Sequence, residues 1–247
     1  HALDEAGYKI LGSTLDSIDA AEDREQFSKM CERLGLLLPK HHTATNIREA
    51  LTAAEDIGFP IIVRPSFVLG GRKMEILDTM DDLKGYLARN GDVMSKQSPL
   101  LIDDFLDDAL EVDVDLVSDG DTILIGGIVE HIEGAGVHSG DSMGVLPPQR
   151  LSSGIIHEIE SLSRDLCAAL RIIGHLNLQL AIKDDQVYVL EANPRSSRSV
   201  PFVSKATGIK LVDLAMQAML GHNIHVTQYW RNVNNISVKG VVFPFKK

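Results

Sequence analysis

The spacing of apolar residues along the chain predicts an alternation of amphipathic helices and strands. Helices with one apolar face are predicted at 23–34, 47–57, 155–170 and 211–220, and a capping box begins another at 79–90. Strands are predicted at 8–11, 60–64, 73–77, 100–102, 111–117, 122–130, 176–182, 187–191 and 236–245. The pattern leaves loops at 66–72 and 134–148. A loop as long as the second is usually functional in a compact domain.

The clearest alternation lies in 176–182, where the leucines face one way while Asn177 and Gln179 face the other. A polar turn follows, and the chain returns as the second strand of a hairpin that closes with Glu191. We therefore expect Gln179 and Glu191 to meet across the hairpin on its polar face. The alternative for such a pair is a solvated sheet face.

The second strand of this hairpin leads into a dense run of polar side chains. Glu191 is followed by Asn193, Arg195 and Arg198. A carboxylate and an amide two residues apart on an extended backbone point to the same side, and oxygen ligands of this kind suit Mg²⁺. The two arginines suit the phosphate or carboxylate that accompanies the cation, with salt bridges inside an acidic protein as the alternative. The run favours an ATP-using ligase or kinase.

The two loops carry further candidate contacts. Gly70 and Gly71 allow backbone N–H groups to approach phosphates, and Arg64 ends the strand before them. A plain hairpin turn and a surface ion pair are the alternatives. His138 in the long loop is a candidate nucleotide or substrate contact, and Glu111 is a candidate acceptor for a ribose hydroxyl. A solvated histidine and an edge carboxylate are the alternatives here.

Composition narrows the class of protein. Of the 247 residues, 44% are hydrophobic and 24% are charged, as in ordinary soluble domains. The net charge of −11 disfavours nucleic acid as a partner, and no apolar run approaches the roughly 20 residues of a membrane span. Cys31 and Cys167 predict buried thiols in a reducing compartment. With no secretory signal visible, we expect a cytoplasmic protein, or a mitochondrial one in a eukaryote.

Two runs of sequence are distinctive enough to be compared with known protein families. They are Val-His-Ser-Gly-Asp-Ser at 137–142 and Val-Pro-Phe-Val-Ser-Lys-Ala-Thr-Gly at 200–208. Together with 21–24, 63–72, 105–115, 126–136 and 191–195, they resemble the ATP-grasp superfamily and, within it, the large chain of carbamoyl phosphate synthetases. That large chain has two similar ATP-grasp halves, which phosphorylate bicarbonate and then carbamate. The resemblance covers nearly the whole chain, and the two specific runs favour the second half.

The resemblance implies an α/β (α+β) ATP-grasp fold, in which two α/β subdomains with mainly antiparallel sheets clamp a nucleotide. It implies ATP contacts by Arg24, Arg64, Gly70, Gly71, Asp104, Leu106, Glu111, Gly136, Val137, His138, Ser139, Gln179 and Glu191. Asp104 would lie at the hinge beside the adenine. Two Mg²⁺ or Mn²⁺ ions would be ligated by Gln179, Glu191 and Asn193. The catalytic residues would be Asn193, Arg195 and Arg198, with the arginines holding carbamate and its developing phosphoanhydride.

The same resemblance implies a domain plan. Residues 1–22 would be the remnant of a preceding domain, 23–225 the ATP-grasp domain, and 226–247 a strand and linker. Within the grasp domain, a lid of about 39–99 would close over the triphosphate, with Gly70 and Gly71 at its tip, and about 100–225 would be the catalytic subdomain. The chain begins with His1 instead of Met, which indicates a processed chain or a fragment.

The implied activity is ATP-dependent phosphorylation of carbamate to carbamoyl phosphate, in arginine and pyrimidine biosynthesis. The rest of the large chain and a glutaminase small chain would be partners. One alternative is another ATP-grasp carboxylate ligase, such as a biotin carboxylase. A second is a nucleotide-binding fragment that is inactive without its neighbouring domains.

Overall fold

The structure is a computed structural model that describes residues 2–65, 73–90, 94–95, 98–137 and 141–241. Its helices are α1 (Ala2–Glu5), α2 (Leu15–Glu22), α3 (Arg24–Arg33), α4 (Ile47–Ile57), α5 (Met80–Asn90), α6 (Ser153–Ala169), α7 (Val200–Thr207) and α8 (Leu211–Met219). Its strands are β1 (His41–Ala44), β2 (Ile61–Pro65), β3 (Glu75–Leu77), β4 (Leu100–Asp104), β5 (Leu110–Ser118), β6 (Ile123–His131), β7 (Gly144–Leu146), β8 (Gly174–Lys183), β9 (Gln186–Asn193) and β10 (Ser237–Lys239).

The chain divides into two compact units. The small unit is Pro39–Ala109, and the large unit combines His1–Leu38 with Leu110–Lys247. The small unit is therefore an insertion within the large one. It continues to Ala109, beyond the predicted lid boundary, because β4 pairs with β1 and β2 and completes their sheet.

The large unit is built on a six-stranded antiparallel sheet in the order β10-β7-β6-β5-β8-β9. The central strands β5 and β8 contribute Val114 and Leu178 to its core, and both side chains are fully buried. Helix α6 begins where the Ser152 hydroxyl accepts a hydrogen bond from the Ile155 N–H at 3.3 Å. Its apolar stripe, which includes the fully buried Leu166, packs into the same core. Each such leucine stabilises the fold by roughly 1.5–3 kcal/mol through burial.

The small unit has a four-stranded antiparallel sheet in the order β1-β4-β2-β3. Helices α4 and α5 complete its separate apolar core, which includes the fully buried Ile61, Ile102 and Leu83. Thr79 caps α5, since its Oγ1 accepts a hydrogen bond from the Asp82 N–H at 3.2 Å. The small unit thus has the core and capped helices of an independent α/β layer structure.

The five predicted helices are confirmed to within two residues at each end, and the hairpin of β8 and β9 is also confirmed. Sequence reasoning did not single out α2, α7 or the short strand β1. Within the described residues, none of the helices is both long and apolar enough to cross a membrane. Cys31 and Cys167 are buried free thiols, as predicted.

Three of the remaining predictions need correction. The strand predicted at 8–11 is wrong, because this exposed segment pairs with no described strand. The loop predicted at 134–148 contains β7, whose three residues are too few to show alternation in the sequence. The predicted strand at 236–245 is described only as β10, and 242–247 lies outside the described residues. The predicted loop at 66–72 also lies outside them.

Candidate active site

Gln179 on β8 lies directly opposite Glu191 on β9, and Asn177 lies opposite Asn193. Opposed residues of antiparallel strands project from the same face of the sheet, so these four polar side chains share one patch. The register shifts between Gln179 and Leu180, which interrupts the regular ladder beside the patch. The predicted meeting of Gln179 and Glu191 across the hairpin is therefore confirmed.

Hydrogen bonds connect the residues at the end of β9. The Asn193 Nδ2 donates to Glu191 Oε1 at 2.9 Å, and the Arg195 Nη2 donates to Asn193 Oδ1 at 3.0 Å. The Arg195 backbone N–H also donates to the Asn193 carbonyl at 2.7 Å, which closes a tight turn. These contacts fix the Asn193 amide, with its nitrogen toward the carboxylate and its oxygen toward the guanidinium.

The patch forms one wall of a cleft of about 660 Å³, a volume that includes solvent at its open mouth. Three cationic side chains line it: Arg195 and Arg198 from the segment after β9, and Lys239 from β10. The remaining lining residues are Asp113, Asn177, Gln179, Glu191, Asn193, Ser196, Ser197 and Ser199. The cleft is thus almost wholly polar, with cations and carboxylates side by side. Such a surface suits an anionic substrate that carries metal ions.

Asp115 lies beneath the segment that carries the arginines. Its Oδ1 accepts hydrogen bonds from Ser197 Oγ at 2.7 Å and from Asn177 Nδ2 at 3.1 Å, and its Oδ2 accepts one from Ser199 Oγ at 2.6 Å. Burial raises the pKa of Asp115 to about 6, although the hydrogen bonds from both serines and Asn177 oppose the rise.

A second buried charge cluster joins β5 to β6. The Nε2 of His131 lies 3.1 Å from Asp113 Oδ2, and its Nδ1 lies 3.5 Å from Glu111 Oε2. Burial lowers the pKa of His131, but hydrogen bonds to the two carboxylates outweigh it and raise the pKa to about 9. Glu111 also accepts a hydrogen bond from the Gly136 N–H at 2.9 Å, so it orders the start of the long loop.

Arg24 is attached to the strand that carries Glu191. Asp23 caps α3 by accepting a hydrogen bond from the Gln26 N–H at 2.8 Å, and Arg24 opens the helix. The Arg24 Nη1 donates to the Leu190 carbonyl at 3.1 Å. A cation is therefore placed next to β9, one residue before Glu191.

Residues 23–227 match the family model described as carbamoyl-phosphate synthase L chain, ATP binding domain. The chain belongs to this family. It is 49% identical over 247 residues to a carbamoyl phosphate synthase large chain of Archaeoglobus fulgidus, covering 99% of this chain and 23% of that protein. It is 48% identical over 257 aligned positions to a carbamoyl phosphate synthase large chain, C-terminal section, of Methanocaldococcus jannaschii, covering 99% of this chain and 41% of that protein. The chain therefore spans less than half the length of these relatives.

Solved structures with little sequence identity share the fold. Biotin carboxylase of Campylobacter jejuni matches with a TM-score of 0.79 at 13% identity, over 96% of this chain and 54% of that one. The N5-carboxyaminoimidazole synthase of Aspergillus clavatus matches with a TM-score of 0.78 at 18% identity, over 96% of this chain and 61% of that one. This likeness confirms the predicted ATP-grasp fold.

In this member of the carbamoyl-phosphate synthase family, the predicted contacts divide between the two units. The large unit holds Arg24, Glu111, Gly136, Val137, Gln179, Glu191, Asn193, Arg195 and Arg198. The small unit holds Arg64, Asp104 and Leu106. There, Arg64 Nη2 lies 3.4 Å from Asp103 Oδ2, and the Asp104 N–H donates to the Lys40 carbonyl at 2.7 Å. Gly70, Gly71, His138 and Ser139 lie outside the described residues.

The predicted metal ligands fit a hard divalent cation. Gln179, Glu191 and Asn193 bring one carboxylate and two side-chain amides to a single patch, and in this structure the Asn193 Oδ1 accepts from Arg195. Among the described residues, no three His, Cys, Asp or Glu side chains group as a metal site. Mg²⁺ is commonly held by one or two carboxylates together with substrate phosphates, so a set with one carboxylate suits a nucleotide-bound cation.

Sequence reasoning missed Lys239, Asp113, Asn177, Ser197 and Ser199 as lining residues. Glu111, Asp113 and Asp115 alternate with apolar residues along β5 and therefore share one face, but this alternation does not reveal what covers that face. Lys239 lies on a strand of three residues, which is too short to give a pattern. The serines sit in an irregular segment whose contacts depend on the folded sheet.

Proposed function

We propose that the cleft binds Mg-ATP and carbamate and transfers the γ-phosphoryl group to carbamate, forming carbamoyl phosphate and ADP. The observation that supports the proposal is that Gln179 on β8 lies directly across from Glu191 on β9. Asn193, Arg195 and Arg198 line the same cleft. Oxygen donors for a nucleotide-bound cation and guanidinium groups for an anionic acceptor are thus on one surface.

In the proposed reaction, an oxygen of carbamate attacks the γ-phosphorus in line. The bond from phosphorus to the β,γ-bridging oxygen breaks, and its electron pair leaves on ADP. Carbamate is an anion and ADP leaves as an anion, so the step balances without a proton transfer. The work of the protein is to position the two anions and neutralise their charge.

Different residues of the cleft would have different roles in this step. Arg195 and Arg198 would hold the carbamate and the transferring phosphoryl group, as planar guanidiniums bind such oxygens in pairs. Gln179, Glu191 and Asn193 would hold two divalent cations, Mg²⁺ or Mn²⁺. When bound, these cations neutralise charge on the β- and γ-phosphates. Asn193 contributes further by donating to Glu191 and so orienting the carboxylate.

The remaining predicted contacts would bind the nucleotide, with Glu111 accepting from the ribose, Arg24 and Arg64 near the phosphates, and Asp104 and Leu106 near the adenine. The small unit would serve as the lid. We propose carbamate, not bicarbonate, as the acceptor because a similar protein, 48% identical, is named as the C-terminal section of a large chain. By the same argument, the rest of a large chain and a glutaminase small chain are the proposed partners, in the cytoplasm.

The proposal is tested by the reverse reaction. The chain is incubated with Mg-ADP and carbamoyl phosphate, and ATP is followed by luminescence. Glu191→Gln is the test variant, because it removes a charged oxygen ligand and keeps the shape. Glu158→Gln is the matched control, since Glu158 is exposed on α6. We expect ATP from the parent chain and the control, and a loss of about a hundredfold or more in Glu191→Gln.

The other outcomes are equally decisive. Equal ATP formation by the parent and Glu191→Gln would reject the metal assignment. Tight Mg-ADP binding without ATP would reject carbamate phosphorylation by this chain alone and favour a nucleotide-binding fragment. ATP hydrolysis that biotin stimulates would favour a biotin carboxylase activity instead.

A further inference from the structure

The segment between β9 and α7 carries both arginines of the cleft, yet it has no regular structure of its own. Arg195 and Arg198 are exposed on it, while Ser199 is buried. The two arginines therefore depend on contacts between this segment and the sheet for their position. Loops without such contacts are the most mobile parts of a protein.

Asp115 supplies these contacts from the centre of the sheet. It lies on β5 between β6 and β8, opposite Gly127 on one side and Asn177 on the other. Its two carboxylate oxygens accept from Ser197 Oγ at 2.7 Å and from Ser199 Oγ at 2.6 Å. The two hydroxyl oxygens are themselves 2.7 Å apart. A single buried carboxylate thus fixes the segment immediately before and after Arg198.

The cost of this arrangement argues for a role beyond packing. Asp115 is 1% exposed, and a buried carboxylate is tolerated only when hydrogen bonds compensate for its lost hydration. An apolar side chain at this position would not carry the cost of a buried charge. The tight contacts to Ser197 and Ser199 instead favour one conformation of the segment over others.

We propose that Asp115 is a positioning residue that, through Ser197 and Ser199, holds Arg195 and Arg198 in the geometry that binds the anionic acceptor. The inference rests on the proposed function for the identity of that acceptor. Asp115 accepts hydrogen bonds from Asn177, Ser197 and Ser199, and none of these three residues is a proposed nucleotide contact. Loss of the anchor should therefore affect the acceptor more than the nucleotide.

The test variants are Asp115→Asn, which keeps the shape but removes the charge, and Ser199→Ala, which removes one donor. Ser163→Ala is the matched control, because Ser163 is fully buried in α6 and its Oγ has no hydrogen-bond partner among the described residues. In the reverse reaction we expect the KM for carbamoyl phosphate to rise roughly tenfold in both test variants, as for loss of a charge-assisted hydrogen bond. The Kd for Mg-ADP should stay within about twofold.

A second measurement does not need activity. Hydrogen–deuterium exchange is followed by mass spectrometry in peptides that cover 194–200 and, as an internal reference, 176–182. We expect exchange in 194–200 to be roughly tenfold faster in the test variants and unchanged in Ser163→Ala, with the reference peptide unchanged throughout. Combining Asp115→Asn with Ser199→Ala should add little to either single effect, because both remove the same anchor.

These measurements separate the two proposals. If the parent chain makes no ATP, the carbamate assignment fails, while the exchange of 194–200 still decides whether Asp115 fixes the segment. Unchanged exchange in Asp115→Asn would overturn the inference. A parallel rise in the KM for carbamoyl phosphate and the Kd for Mg-ADP, with faster exchange in both peptides, would also overturn it, because it would indicate a general structural role.

Discussion

The imidazole of His131 lies 3.1 Å from the carboxylate of Asp113, and the two side chains are 4% and 5% exposed. A buried carboxylate next to an imidazole favours the imidazolium form, and Glu111 on the other side of the ring adds to the effect. His131 thus acts as the cation that neutralises two carboxylates of β5 beside the cleft. Its protonation state links the stability of the large unit to pH.

His131→Asn should lower the free energy of unfolding by roughly 3 kcal/mol at pH 6, because it leaves buried carboxylates without their cation. The native pKa, about 9, is raised above the ordinary value of 6.5. The stabilisation is therefore complete below pH 6.5 and is lost as pH rises through about 9. Urea unfolding at pH 6 and 9.5 measures the difference between parent and variant.

The control for this prediction is His222→Asn, which alters an exposed histidine. It should leave the unfolding curve nearly unchanged at both pH values. If His131→Asn lowers the free energy of unfolding by the same amount at pH 6 and at pH 9.5, the imidazole is neutral in the folded protein.

Asn193→Ala should raise the Mg²⁺ concentration needed for half-maximal ADP binding by about tenfold or more. The variant loses a proposed ligand and also the N–H group that orients Glu191. Titration of nucleotide binding with Mg²⁺ measures the effect, with Asn235→Ala at an exposed position as the control. An unchanged Mg²⁺ requirement would remove Asn193 from the metal site.

Arg198→Ala should raise the KM for carbamoyl phosphate by about tenfold to a hundredfold in the reverse reaction, since it removes charge-assisted hydrogen bonds to an anion. Arg198→Lys should recover only part of this loss, because an ammonium group lacks the planar pair of donors. Arg164→Ala, on the exposed surface of α6, is the control. Full recovery with lysine would mean that charge alone is needed at this position.

Gly127→Ala should lower the free energy of unfolding by about 1–3 kcal/mol through overpacking. An added Cβ would lie 2.7 Å from Leu146 Cδ1 and 2.9 Å from Val203 Cγ1, and both of those side chains are fully buried. The control is Gly134→Ala, where an added Cβ meets no atom of the described part of the chain within 4 Å. Urea unfolding of both variants tests the prediction. Equal midpoints would indicate that α7 can move away from the sheet at little cost.

The sequence was sufficient to predict those features of the fold and the site that depend on local periodicity. The alternation of 176–182 placed Gln179 on the polar face, and the short turn after it fixed Glu191 as its partner. The stripe of α6 was recognisable for the same reason, since one face of a helix repeats over several turns.

The remainder of the site depends on contacts distant in sequence. Asp115 and Ser199 meet only because β5 lies next to β8 and the segment after β9 folds back over them. The sequence around Asp115 and the sequence around Ser199 contain no local pattern that predicts this hydrogen bond. The same holds for Lys239, which reaches the cleft because β10 pairs with β7. Long-range pairing of this kind is set by the whole sheet and not by local pattern.

The chain leaves the large unit just before Pro39 and returns to it just after Ala109. The residues next to these two points lie on one line across the strands of the large sheet. Leu37 bridges to Tyr188, which is opposite Ala181, and Ala181 is in turn opposite Glu111. Three strand spacings separate Leu37 from Glu111, a gap of about 14 Å. An extended linker of about five residues can span it. A linker of this length is therefore long enough to join Leu38 to Leu110 in place of the small unit, and the hairpin of β8 and β9, which carries Gln179 and Glu191, lies wholly outside the insertion.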